Sequence, residues 1–164
     1  MLNPASPLAA LINAAMRPGV VRWIGLRPKR HDVMQIVETA MLDARDGVIG
    51  DHYRSATTGS RHVTLIGAED LSAIAAYLGR DRVAPEDLRR NIVIAGLNLL
   101  ALKDKRFRLG EAVLEMTGEC HPCSRMEETF GAGGYNAVRG HGGITARVLE
   151  SGQVRIGDAL LTLP

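Results

Sequence analysis

Short apolar segments, rich in β-branched residues and bounded by Gly, Pro or Asp, recur along most of the chain. Segments of this kind are typical of β-strands separated by tight turns. The last three are separated by the turn-forming pairs Ser151-Gly152 and Gly157-Asp158, which predicts an antiparallel meander at the end of the chain. The predicted strands cover residues 20–25, 35–42, 62–66, 91–95, 106–109, 112–117, 144–149, 153–156 and 159–163.

Helical patterns are fewer than strand patterns. After residue 66 the apolar positions change to helical spacing, and Leu71, Ile74, Ala75 and Leu78 fall on one face. Acidic residues occupy the first turn of this helix and Gly79 follows its end, as expected for a helix terminus. Shorter helical segments are predicted over residues 8–16, 85–90 and 124–130.

Many short strands and few helices predict a mainly β fold of the α+β class, built as a closed or strongly bent antiparallel β-barrel. The 164 residues fit one domain with its own core. We predict that residues 1–19 form an N-terminal helical extension and that residues 20–164 form the barrel core. Residues 8–16 are apolar but much shorter than the ~20 residues that cross a bilayer. We therefore expect no membrane association and a cytoplasmic location.

The charge pattern does not indicate a nucleic-acid partner. The 20 basic and 18 acidic residues leave a formal charge of +2, and no long basic block contains interleaved aromatic residues. Basic stretches at residues 27–30, 89–90 and 103–108 are interpreted as solvated surface. The polar stretch over residues 45–60, with three glycines, is long enough to predict a loop that lines a site.

Both cysteines of the chain lie in the run Cys120-His121-Pro122-Cys123, which follows a predicted strand and precedes a predicted helix. A cysteine close to a helix N-terminus is favoured as thiolate by the backbone dipole. In a cytoplasmic protein a structural disulfide between the two is disfavoured. The run therefore indicates a reactive or metal-ligating pair of thiols.

Three interpretations of this pair remain open from the residues alone. A thioredoxin-like redox site has the same spacing, but it follows an early strand of a βαβ unit, whereas about forty residues of predicted meander follow here. A structural zinc site needs four ligands, and the chain has one cysteine pair with scattered histidines. The third interpretation is a thiolate that binds a soft or high-valent metal carried by an anionic organic cofactor.

The chain resembles the MOSC domain, found at the C-terminal end of molybdenum cofactor sulfurases and as stand-alone bacterial proteins. The resemblance implies a compact barrel of the pyruvate-kinase barrel-like type and association with molybdenum cofactor. Five segments carry it, in the order of the family and over most of the chain from residue 20: residues 61–66, 88–96, 109–114, 118–126, and 142–149 continued through 154–158.

The resemblance also implies roles for individual residues. Cys123 matches the cysteine expected to ligate molybdenum or to carry sulfur, and Cys120 is either a packed bystander or a resolving thiol. Arg61 and Arg90 match positions near the cofactor pocket, where a bidentate guanidinium suits the cofactor phosphate. The alternative for both is ordinary surface pairing with Glu or Asp.

Two further residues and one loop complete the predicted site. An amide at a turn commonly ties down loop backbone, so Asn91 is expected to support the cofactor site structurally. Arg125 either helps to hold the Cys123 thiolate in its charged form or lies exposed on the helix surface. The loop over residues 45–60 is predicted to border the pocket.

We expect an enzyme that is either a molybdenum-dependent reductase of N-hydroxylated compounds or a sulfurtransferase-like protein. The reductase needs an external electron donor because the sequence contains no flavin motif or iron–sulfur cysteine set. The sulfur-transfer role needs a sulfur-donor protein, since this chain is expected to bind no pyridoxal phosphate. A non-catalytic cofactor carrier and a thiol–disulfide redox protein using both cysteines are the alternatives.

Overall fold

The computed structural model describes residues 2–53 and 59–164. The first half of the chain contains α1 (Pro7–Ile12), β1 (Gly19–Leu26), β2 (Gln35–Val37), β3 (Thr39–Asp43), β4 (Gly47–Val48), β5 (Val63–Gly67) and α2 (Ala68–Tyr77). The second half contains α3 (Pro85–Leu88), β6 (Ile92–Ala95), a 3₁₀ turn (Leu99–Leu102), β7 (Arg106–Leu109), β8 (Ala112–Glu119), α4 (Arg125–Phe130), α5 (Gly134–Val138), β9 (Ile144–Glu150), β10 (Gly152–Arg155) and β11 (Ala159–Thr162).

Seven of the strands in this described part of the chain close into a barrel, which confirms the predicted mainly β barrel fold. Their order is β11-β7-β8-β9-β5-β6-β1, and β1 returns to β11 through the pairs Gly19–Leu160 and Val20–Ala159. The barrel is mixed, since β5 and β6 run parallel while its other pairs are antiparallel. The parallel pair follows from α2 and α3, because a connection between parallel neighbours must cross from one end of the sheet to the other.

The predicted meander at the end of the chain is wrong. Strand β10 leaves the barrel and pairs with β3 in a three-stranded sheet with β4, while β11 pairs with β7 and β1. The turn at Gly152 packs against Glu111, where a Cβ on Gly152 would meet the Glu111 carbonyl carbon at 2.4 Å. Glu111 also accepts a hydrogen bond from the Gln153 amide. These contacts hold the start of β10 at the β7–β8 turn, so it does not fold back on β9.

Other boundaries differ from the sequence predictions. The predicted strand over 35–42 divides at Glu38 into β2 and β3, which join different sheets. Strand β8 continues through Gly118, which a register irregularity accommodates. The predicted loop over 45–60 contains β4, and its residues 54–58 lie outside the described residues. The 3₁₀ turn and α5 were not predicted.

Two apolar clusters hold the fold together. One fills the barrel, where Leu65, Phe107 and Leu114 are fully buried. The second lies between the outside of the barrel and the helices, and contains Met126 and Phe130 of α4. Burying a side chain of this size contributes roughly 1.5–3 kcal/mol. Helix α4 is therefore fixed to the barrel, and the cysteine run that precedes it is fixed with it.

Helix α1 begins as predicted and ends early. Ser6 caps it by accepting a hydrogen bond from the Ala9 amide at 3.1 Å, and Pro7 occupies the first turn. The helix ends at Ile12 rather than at residue 16, because Ala9 is its one buried residue and little core contact extends it. Among the described residues, no helix has the length and apolar character needed to span a membrane.

Candidate functional site

The two cysteines occupy different environments in the turn between β8 and α4. Cys120 is buried, and its amide donates to the carbonyl oxygen of Gly143 at 2.8 Å. Cys123 is exposed, and its carbonyl accepts from the Met126 amide at 2.9 Å, which starts the first turn of α4. Both thiols are free. Only one of the two sulfur-bearing side chains is therefore open to solvent.

Cys123 lies in a cleft of about 430 Å³, which we call the thiol cleft. Five arginines and two acidic residues, Asp87 and Glu128, line the cleft, so the net charge of its arginine and acidic side chains is positive. Positive charge converging on a concave site favours an anionic ligand. The arginines that line the thiol cleft are Arg27, Arg61, Arg89, Arg90 and Arg125.

Arg90 ties the thiol cleft to the neighbouring loops. Its Nε donates to the carbonyl of Gly142 at 2.7 Å, and its Nη1 donates to the carbonyl of Leu88 at 2.6 Å. Burial lowers the pKa of Arg90, and the nearby Cys120 sulfur, when charged, opposes this shift. The guanidinium is therefore held in one orientation beside the cysteine run.

Arg27 lines the thiol cleft, so the prediction that its basic stretch is solvated surface is wrong for this residue. It follows β1, and its Nε and Nη1 atoms are buried without a hydrogen-bond partner among the described residues. Burial and the charge of Arg89 lower the pKa of Arg27, while Asp51 opposes the shift. Buried guanidinium nitrogens without partners are uncommon, because each one loses its hydration without compensation. An anion in the cleft would satisfy them.

Arg89 reaches the thiol cleft through an unusual backbone conformation. Its φ is 57°, in the left-handed region, where non-glycine residues are uncommon. This residue ends α3, so the next residues turn directly into β6. The left-handed turn places Arg89 and Arg90 together on the cleft. The pair Arg89-Arg90, interpreted from sequence as solvated surface, is part of the site lining.

Asn91 lies behind the cleft and not in its lining. Its Oδ1 accepts from the Thr64 amide at 3.1 Å and from the Thr64 hydroxyl at 3.2 Å. Its Nδ2 donates to the Gly25 carbonyl at 3.2 Å and to an Asp51 carboxylate oxygen at 3.4 Å. The amide joins β1, β5 and β6 beneath the arginines, and these protein contacts use its donors and acceptors.

The remaining predicted residues lie at the mouth of the site. Arg61 is exposed and lines both the thiol cleft and a small recess of about 110 Å³ beside it. Arg125 is the first residue of α4 and lines the cleft. The recess is also lined by Asp51, His52 and Tyr53, so the described start of the 45–60 loop borders the site.

Cys120 is poorly suited to ionise. Burial raises the pKa of the Cys120 thiol, and the positive charges of Arg90 and Arg61 offset only part of this increase. A thiol with a raised pKa is a weak nucleophile at neutral pH.

The described residues also give no support to the zinc interpretation. Within them, no group of three or more His, Cys, Asp or Glu side chains is arranged to hold a metal ion. A structural zinc site needs four protein ligands.

The amino-acid sequence of the chain matches the model of a known protein family. The model for the MOSC domain matches residues 39–161. The chain belongs to the MOSC domain family. The resemblance noted from the sequence is thus confirmed, and the MOSC family is associated with molybdenum cofactor. No curated protein sequence matches this MOSC domain significantly.

Solved structures resemble this MOSC domain in fold. YuaD protein from Bacillus subtilis is 20% identical, with a TM-score of 0.77 over 88% of this chain and 94% of that chain. YiiM from Geobacillus stearothermophilus is 16% identical, with a TM-score of 0.72 over 90% of this chain and 76% of that chain. YiiM from Escherichia coli is 19% identical, with a TM-score of 0.66 over 88% and 70%.

Proposed function

We propose that the thiol cleft binds molybdenum cofactor, with Cys123 as the metal ligand or as a sulfur carrier beside it, and with the cleft arginines around the anionic end of the cofactor. One observation carries the proposal: the exposed Cys123 thiol shares its cleft with Arg27, whose buried Nε and Nη1 lack partners in the described chain. A soft thiolate suits molybdenum and guanidinium groups suit phosphate. These residue types therefore fit the cofactor.

The residues in and behind the cleft have different roles in binding. Arg27 offers unsatisfied donors to an anion, and Arg61 and Arg125 add positive charge at the mouth. Arg90 is held by two backbone carbonyls and fixes the wall next to the cysteine run. Asn91 supports this wall from behind. When bound, the cofactor supplies a redox-active molybdenum centre.

Two activities fit this arrangement. The protein reduces N-hydroxylated compounds with electrons from an external donor, or the Cys123 thiolate takes the outer sulfur of a donor-protein persulfide, releases the donor cysteine as a thiolate and passes that sulfur on to an acceptor. Either activity uses an exposed thiol beside an anion site. Production in a host that makes the cofactor, followed by mass spectrometry of Cys123, separates them. A mass increase of one sulfur atom on Cys123 supports sulfur transfer, and turnover with a reduced viologen dye supports the reductase.

The decisive experiment is molybdenum analysis of protein purified from the same host. We expect wild-type protein and Cys120→Ser to retain molybdenum, and Cys123→Ser to lose most of it. Cys120→Ser is the matched control because it removes the neighbouring thiol from the same turn. Equal molybdenum in wild-type and Cys123→Ser protein would remove Cys123 as ligand. Retained molybdenum without turnover by any electron source would leave the non-catalytic carrier.

Thiol–disulfide exchange between the two cysteines is less well supported. Such exchange needs both sulfurs to be reachable and a reactive thiolate. Cys120 is buried and its pKa is raised by burial. Reversible cycling of both cysteines at a thioredoxin-like potential would nevertheless favour this function over cofactor binding.

A further inference from the structure

A second cavity lies on the other side of the cysteine run. It has a volume of about 530 Å³, and Cys120 and His121 line both it and the thiol cleft. The 3₁₀ turn contributes Leu99 and Leu100, and the glycine loop 140–143 forms another part of its wall. The size is within the range of small-molecule sites. A ligand in this cavity would lie next to whatever occupies the thiol cleft.

The charge of this cavity is opposite to that of the thiol cleft. Its described lining contains Asp70, Glu69 and Glu119 and no lysine or arginine. Glu69 accepts a hydrogen bond from the Gly96 amide at 2.7 Å, which orients its carboxylate without removing its charge, so all three acidic residues contribute negative charge to the lining. Leucine side chains supply apolar surface beside these carboxylates. The two neighbouring sites thus differ in the ligand charge that they favour.

A histidine–carboxylate pair lines the second cavity. His141 Nδ1 lies 2.8 Å from an Asp70 carboxylate oxygen, and both side chains are about one-third exposed. The His141 ring also contacts the ring of Tyr77, with 5.5 Å between the centroids. Because the carboxylate accepts the proton on Nδ1, neutral His141 has Nε2 as an acceptor. Nε2 has no hydrogen-bond partner within the described residues.

We propose that the second cavity binds a small organic molecule that presents an N–H group on an apolar body, and that His141 accepts this hydrogen bond. Asp70 orients the His141 ring and adds negative charge that favours a protonated nitrogen. The inference deepens the proposed function, because it assigns the substrate side of the site to a cavity separate from the cofactor cleft. Its binding test needs neither molybdenum nor turnover.

The test measures binding of benzylamine to the full chain by calorimetry, with benzyl alcohol and benzoate as neutral and anionic probes of the same shape. We expect weak saturable binding of benzylamine, roughly millimolar, and weaker binding of the other two. Asp70→Asn and His141→Leu should each weaken benzylamine binding by about tenfold or more, which corresponds to the loss of a charge-assisted hydrogen bond. Asp81→Asn, an equal charge change outside the cavity lining, should leave binding unchanged.

A second measurement uses wild-type protein alone, so its result does not depend on whether a variant folds. In wild-type protein, benzylamine should shift amide resonances of Leu99, Leu100 and Gly140 and leave those of Glu128 and Thr129 unchanged. No saturable binding, or equal binding by wild-type, Asp70→Asn and His141→Leu protein, would overturn the proposal. Molybdenum retention is measured separately with Cys123→Ser, so failure of the second cavity can be distinguished from failure of the cofactor cleft.

Discussion

Arg90 and Gly142 are joined by a 2.7 Å hydrogen bond from the guanidinium Nε to the glycine carbonyl. This bond connects the turn before β6 to the glycine loop before β9. Gly142 in turn packs against Cys120, since a Cβ on Gly142 would lie 2.0 Å from the Cys120 carbonyl oxygen. The arginine, the glycine loop and the start of the cysteine run therefore form one unit between the two cavities.

Arg90→Ala should destabilise the fold by about 1–3 kcal/mol, because the carbonyls of Leu88 and Gly142 lose charge-assisted partners. Chemical denaturation of protein made without cofactor measures this change. Arg139→Ala is the control, since Arg139 is exposed and, among the described residues, its side chain donates only to the exposed Asn136 side chain. The control should change the free energy of unfolding by less than about 0.5 kcal/mol. Equal effects of the two substitutions would contradict a structural role for Arg90.

Gly142→Ala should also destabilise the protein, by about 1–3 kcal/mol, because the added methyl group must displace backbone rather than a side chain. Gly118→Ala is a matched control within β8. Among the described residues, a Cβ at Gly118 would meet the Thr145 hydroxyl alone, at an ordinary distance of 3.5 Å. Thermal unfolding of both variants compares the two sites. A smaller loss for Gly142→Ala than for Gly118→Ala would show that the Cys120 turn can move freely.

Local patterns predicted the elements of the fold well. The helix predicted after residue 66 is α2, with Glu69 and Asp70 in its first turn and Gly79 in a left-handed conformation just beyond its end. The strand predicted over 91–95 is β6, where Ile92 and Ile94 are fully buried. Spacing, turn residues and caps act within a few residues, so the sequence displays them directly.

Pairing partners and burial were harder to predict. Strand β10 pairs with β3, where Gly152 lies opposite Leu42, and no local pattern specifies a partner so distant in the chain. Arg27 lies within a basic stretch that has the composition of solvated surface, and only the surrounding fold buries two of its nitrogens. Of the predicted site residues, Cys123 and the arginines 61, 90 and 125 line the thiol cleft, and Asn91 lies behind it.

Arg27→Met should weaken anion binding without loss of stability in the cofactor-free protein. Two guanidinium nitrogens of Arg27 are buried without partners in the described parts of the chain, and nearby Arg89 and Arg125 repel its charge. We expect a change in the free energy of unfolding of about 0–1 kcal/mol in the stabilising direction. Inorganic phosphate should raise the unfolding temperature of the wild-type protein and raise that of Arg27→Met less.

Arg30→Met is the control for this prediction. Arg30 contributes to the positive field at Arg27 but does not line the thiol cleft. Its substitution should leave most of the phosphate-induced shift intact. A phosphate shift that is unchanged in Arg27→Met and reduced in Arg30→Met would place the anion site outside the thiol cleft.

Iodoacetamide should modify Cys123 much faster than Cys120 in the folded protein. Cys123 is exposed, whereas Cys120 is buried and its pKa is raised by burial, which reduces its thiolate fraction at neutral pH. We expect a rate difference of about tenfold or more, measured by mass spectrometry of timed samples. In Cys123→Ser the fast reaction should disappear, and in Cys120→Ser it should remain. Equal rates for both thiols would show that the turn before α4 opens readily.

Stability should fall as the pH is lowered, and His62 should account for part of the loss. His62 is buried, its Nδ1 accepts from the Val148 amide at 3.1 Å, and burial followed by the charge of Arg147 lowers its pKa. Below about pH 6.5 the unfolded chain binds a proton on this histidine, while the folded protein does so only at a lower pH. The stability that His62 contributes is therefore present above about pH 6.5 and is lost below it.

His62 should change the free energy of unfolding by at most about 1.4 kcal/mol per pH unit. His62→Asn keeps an acceptor for the Val148 amide and removes the titrating ring, so its unfolding free energy should depend less on pH between about 6.5 and 5. The control is His31→Asn, which should keep the wild-type dependence of unfolding free energy on pH. His31 is exposed, and its left-handed backbone conformation is one that asparagine tolerates. Denaturant titrations at several pH values compare the three proteins. If the unfolding free energy of His62→Asn depends on pH as steeply as that of the wild-type protein, other groups cause the acid sensitivity. Protonation of the buried Nδ1 of His62 would then not account for the difference between the folded and unfolded states.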